Sequence, residues 1–217
     1  TYSVTAGKTI SPSVRYEDDP TSYTLTLTGQ PTGTARTQLL TLTDSTPTFW
    51  NAFDLASIPT VTLPSPVNQL RLWALTGVDY TLVGSTLTAT CAGNTDLTAC
   101  WHASDWQDAD ANRQVAPTLP AGISAADVRG VRFEARRVDQ GAVVQWERPA
   151  DPQIPVRLAV TRRALLLHGT NGATDTPVPS TLPGMATAPG ETTQGVTGDE
   201  VQVDDFAAWR TQSGNAY

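Results

Sequence analysis

Apolar and polar residues alternate along much of this chain. In Tyr23-Thr24-Leu25-Thr26-Leu27-Thr28, Tyr23, Leu25 and Leu27 share one face and the threonines share the other. A period of two with one apolar face predicts a half-buried antiparallel strand. The pattern recurs over 38–44, 70–75, 131–135 and 156–160. Runs at 79–83 and 86–90 flank Gly84-Ser85, a two-residue hairpin signal, and Asp139-Gln140-Gly141 separates two further β-rich runs. Helical signals are few. Residues 48–55 place Phe49 and Phe53 four apart, which suits one short turn of helix docked on the core. Ser124-Ala125-Ala126-Asp127 reads as a capping box ahead of the strand that begins at Val131. Many short strands broken by turn residues (Gly 16, Pro 16) predict an all-β protein, an antiparallel β-sandwich with one or two short helical turns.

Residues 169–198 are rich in Thr, Pro and Gly and nearly free of periodicity. Only about twenty residues follow, too few for an independent domain, so the stretch reads as a surface loop. Val201, Val203 and Trp209 then belong to final strands returning to the same core. The expectation is one domain over 1–217, with long loops near 91–122 and 169–198 and no internal repeat. No run approaches the roughly 18 apolar residues of a membrane helix. Thr1, with no signal peptide behind it, predicts a piece of a longer parent.

A net charge of −7 argues against nucleic acid as a partner, since polyanion-binding surfaces carry a basic excess. Arg132, Arg136 and Arg137 are read as a solvated sheet face. Cys91 and Cys100, the only cysteines, enclose a short polar loop. One nearby pair suggests a disulfide and an oxidising compartment, the alternative being two reduced buried thiols. Closing a loop of about ten residues would stabilise by roughly 2–3 kcal/mol on the chain-entropy view. A metal site has little to build on, with no second cysteine pair and two histidines, and no cofactor is expected.

Lys8 is the only lysine beside 13 arginines. Base composition of the genome can produce such a bias, but phase adds to it. Val4, Ala6, Lys8 and Ile10 fall on one face of a first strand, which points Lys8 inward, where lysine is uncommon unless paired or functional. Asp44 shares the inward phase of Leu40 and Leu42 and precedes Ser45-Thr46-Pro47. Its plain reading is an Asx cap on that turn.

Lys8-Thr9-Ile10-Ser11-Pro12, Tyr23-Thr24-Leu25-Thr26-Leu27 and Leu42-Thr43-Asp44-Ser45-Thr46-Pro47 resemble the "conserved repeat" domain of bacterial cell-wall-anchored adhesins. The resemblance covers roughly the first 50 residues and thins afterwards. It implies an Ig-like sandwich carrying an intramolecular Lys–Asn isopeptide bond, with Asn215-Ala216 in the place of the last-strand asparagine. The usual spacer between Asn and Ala is absent here, and the middle of the chain is long. In that chemistry Lys8 attacks the side-chain carbonyl of Asn215 and ammonia leaves. A desolvated pocket favours the neutral amine, and a neighbouring carboxyl polarises the carbonyl and shuttles protons. Asp44 is the first choice for that carboxyl. Glu134 is the second, because its phase opposes Val131, Phe133 and Ala135 and directs it to solvent. The reaction is a single-turnover self-crosslink, not an enzyme activity. Expected partners are neighbouring domains of the same surface protein and a host protein or glycan, with no membrane contact in this segment.

Six tryptophans supply the rival reading. Trp101 and Trp106, beside His102 and Asp105, could stack on sugars as a carbohydrate-binding module, or simply cover a minor core. Asp108, Asp110 and Asn112 mimic the start of a calcium loop, but Arg113 stands where that loop needs Gly and Leu119 where it needs Glu. Neither His102 nor His168 sits in a recognisable hydrolase motif, and a Cys91–Cys100 bridge would remove the only thiols.

Overall fold

The computed structural model describes residues 4–11, 22–31, 36–84, 86–146, 153–163, 165–168, 191–196 and 199–203. Its core lies between two antiparallel sheets. The first has the order β1 (Val4–Ser11), β2 (Ser22–Pro31), β14 (Ile154–Arg162), β4 (Phe53–Ser57). The second runs β10 (Gln107–Asp108), β6 (Gln69–Leu75), β12 (Gly130–Asp139), β3 (Leu39–Asp44), β15 (Glu191–Val196), β16 (Asp199–Val203). β9 (Trp101–Ala103) also pairs with β6, and β13 (Ala142–Val144) pairs with β12. Two smaller ladders complete the fold: β5 (Val61–Thr62) with β11 (Gln114–Val115), and β7 (Val78–Val83) with β8 (Thr86–Cys91).

Alternation explains the layering. On β2, Tyr23, Leu25 and Leu27 are buried, as are Val156 and Leu158 across the ladder on β14. They meet Leu40, Leu42, Leu72 and Phe133 of the second sheet in one core. The architecture is therefore the all-β sandwich that the period-two pattern predicts. Both hairpins form: Val83 pairs with Thr86 across Gly84 at φ +66°, and Asp139 pairs with Ala142 across Gln140 (φ 50°) and Gly141 (φ 78°). Positive φ at both Gln140 and Gly141 gives the second hairpin the tight, right-twisted turn that matches its strands.

The predicted helical turn is shorter than 48–55. A single turn, α1 (Pro47–Trp50), opens on proline, whose fixed φ suits a first helical position, and Phe53 already begins β4. The two phenylalanines nevertheless stack, with centroids 4.7 Å apart. Ala125–Asp127 forms a 3₁₀ turn in which Ser124 makes no side-chain cap, so the capping box is not realised. The expected loop at 91–122 contains β9, β10 and β11, and the one expected at 169–198 gives way to β15 from Glu191. Val201 and Val203 lie in β16 of the second sheet, and Trp209 falls outside the described residues.

Candidate functional site

Lys8 lies within β1, where Lys8 and Ile10 are buried and Thr9 and Ser11 exposed. Asp44 ends β3, on the other sheet. The pair therefore spans the sandwich. Lys8 Nζ lies 2.6 Å from Asp44 Oδ2, and both side chains are 0% exposed. The contact lacks hydrogen-bond alignment, and neither atom has another hydrogen-bond partner among the described residues.

The segment after β3 builds the pocket. Asp44 Oδ1 accepts the Thr46 backbone N–H at 3.1 Å, the Asx cap read from the turn. Pro47 then opens α1, which carries Phe49 beneath the lysine, its ring centroid 4.2 Å from Nζ. Trp50 folds back and donates its indole N–H to the Asp44 carbonyl at 3.2 Å. Gly130 lets β12 close against this turn, since a Cβ there would come within 2.9 Å of Ser45 Cβ and 3.0 Å of Leu75 Cβ. Asp44 Oδ1 thus serves the cap, while Oδ2 faces Lys8.

Arg129 shows how the same molecule satisfies a buried cation. It is 7% exposed and donates to the carbonyls of Trp50 (2.7 Å), Phe53 (2.9 Å) and Ala126 (2.7 Å) and to Asp54 Oδ1 (2.7 Å). Lys8, at 5%, has one carboxylate oxygen and one aromatic ring. Sealing two charges from water costs several kcal/mol per ion, and only good geometry with further hydrogen bonds offsets that cost. Among the described residues, the Lys8–Asp44 centre lacks those further bonds at its contact atoms. Chemically it is an amine held against a carboxyl group in a dry pocket.

Glu134 does not belong to this centre. It lies on the opposite face of the sheet, as its phase predicts, and pairs with Thr41 whereas Asp44 pairs with Val131. The expectation that it meets solvent is corrected: it is only 7% exposed. Glu134 Oε1 accepts Arg71 Nε at 2.9 Å and the Trp73 indole N–H, and Arg71 Nη2 lies 2.8 Å away. These residues form part of an alternating row across the outer face of the second sheet. Arg132 lies over Trp101 (4.5 Å) and Trp73 (5.9 Å), Arg71 over Trp73 (5.0 Å) and Trp106 (4.6 Å), and Arg136 over Trp106 (3.8 Å). Burial, with the neighbouring Arg71, pushes the Arg136 guanidinium below its ordinary value. Arg132 and Arg136 are half-buried against these rings, whereas Arg137 keeps 37% of its side chain in solvent. Trp101 and Trp106 are half-buried too, each with arginine over its ring.

Cys91 and Cys100 form the disulfide. Asp110 Oδ1 accepts the backbone N–H groups of Asn112 (2.8 Å) and Gln114 (2.9 Å), so in the calcium-like stretch it serves as a turn cap. His168 is tied through its backbone to the Asn51 carboxamide. Asn215 lies outside the described residues. The arginine–tryptophan row and the Arg129–Asp54 pair were missed in the sequence. Arg71-x-Trp73 and Arg132-x-Glu134-x-Arg136 carry the only trace of the row, as outward positions on two strands. Comparisons with protein-family models, curated proteins and solved structures found no match.

Proposed function

We propose that this chain is a structural or adhesive module of a bacterial surface protein, stabilised by an isopeptide bond that consumes Lys8 in a single turnover. The observation that carries this reading is the Lys8–Asp44 pair, 2.6 Å apart, sealed from solvent and short of hydrogen bonds. A dry amine beside a carboxyl is what acyl transfer to lysine requires. The resemblance of the Lys8 and Asp44 segments to an adhesin repeat supports the setting and names Asn215 as acceptor. The Cys91–Cys100 disulfide suits an oxidising, extracellular compartment. Partners on this reading are adjoining domains and a host protein or glycan. The sugar-stacking alternative draws less support, because Trp101 and Trp106 are already engaged by arginines.

Having one lysine makes the test simple. An amine-reactive label applied to the denatured protein should modify the α-amino group alone. Labelling of Lys8 in the denatured chain would overturn the proposal.

A further inference from the structure

The acceptor for Lys8 can be sought in the described pocket itself. We infer that Asp44 is the electrophile, so that the crosslink joins Lys8 to Asp44 and tethers β1 to β3 across the two sheets. This rests on the proposed self-crosslinking and puts Asp44 in place of Asn215, the acceptor that the resemblance implies.

The two oxygens of Asp44 are differently placed. Oδ2 faces Lys8 Nζ at 2.6 Å and has no hydrogen-bond donor among the described residues, whereas Oδ1 is held by the Thr46 N–H at 3.1 Å. That asymmetry suits acyl substitution. Proton transfer within the pair gives a neutral amine and a carboxylic acid, which removes two charges from a dry interior. The Nζ lone pair attacks Cγ, and charge builds on Oδ1, where the Thr46 N–H stabilises it. The Cγ–Oδ2 bond then breaks. Oδ2 leaves as water, with its own proton and one from Nζ, and Oδ1 remains as the amide oxygen. No co-reactant is needed. Both side chains are 0% exposed, which keeps bulk water away from the reverse reaction. The two strands hold the reacting groups in contact, and such positioning alone is worth large effective molarities.

Tryptic mapping of the reduced wild-type protein tests this. Cleavage at Arg15, Arg36, Arg71 and Arg210 leaves Lys8 in 1–15, Asp44 in 37–71 and Asn215 in 211–217. The expected product is 1–15 joined to 37–71, one water lighter than the two peptides together. The Asn215→Ala protein should give it in undiminished yield. A species joining 1–15 to 211–217, lost in Asn215→Ala, would overturn the inference while leaving a Lys8 crosslink intact. Cleavage after an unmodified Lys8 would overturn both.

Discussion

The Lys8–Asp44 centre and the outer face of the second sheet use the same parts to opposite effect. Each sets cations against aromatic rings and a carboxylate. On the outer face, Glu134 gathers donors from Arg71 and Trp73, and Arg71 keeps 26% of its side chain in solvent. Inside, Lys8 and Asp44 are sealed, and among the described residues the contact atoms have only each other and the Phe49 ring. A well-bonded cation at a surface is a stable resting arrangement. A poorly bonded ion pair in a dry core either remains costly or is relieved by chemistry, which on the proposed reading is amide formation.

The largest effect should come from breaking the interior pair. Asp44→Ala leaves the amide unformed and strands the lysine charge, and the stranded charge alone should cost about 3–5 kcal/mol in denaturant unfolding. Replacing both residues, Lys8→Met with Asp44→Leu, should recover the part of that loss due to the stranded charge and not the part due to the missing crosslink. The tether between the regions comes next. Cys100 immediately precedes Trp101 in β9, so the disulfide ties one end of the arginine–tryptophan row to β8. Replacing both cysteines by serine should cost about 2–3 kcal/mol and quench-shift the Trp101 fluorescence without altering the state of Lys8.

On the outer face, Glu134→Ala should cost only about 1–2 kcal/mol, because Arg71 can turn to water. A larger loss there than at Asp44 would reverse the comparison. The smallest effect concerns Asp96, within the disulfide loop. Its hydrogen bonds from the Thr98 hydroxyl and backbone N–H hold its carboxyl below the ordinary range. A depressed folded value means the loop gains local stability above the unfolded carboxylate range and loses it as pH falls through the folded value. NMR titration should follow that change, and Thr98→Ala should move the midpoint up.

Much of this contrast could be read before any coordinates. Phase alone put Lys8 and Asp44 inward, because alternation on a strand assigns faces strictly. It put Glu134 outward for the same reason but said nothing of what covers it, and Arg71 and Trp73 arrive there only through β6–β12 pairing. The row as a whole gathers residues from β6, β12 and the stretch around β9 and β10, so no local window contains it. β9, β10 and β11 have two or three residues each, too few for a period to show. α1 ended early because Phe53 serves the core better as the first residue of β4, stacked on Phe49.

High-resolution mass measurement of the denatured, reduced protein bears most directly on the Lys8 centre. A Lys8–Asp44 amide predicts a chain one water lighter than its sequence mass, and the full sequence mass would contradict it.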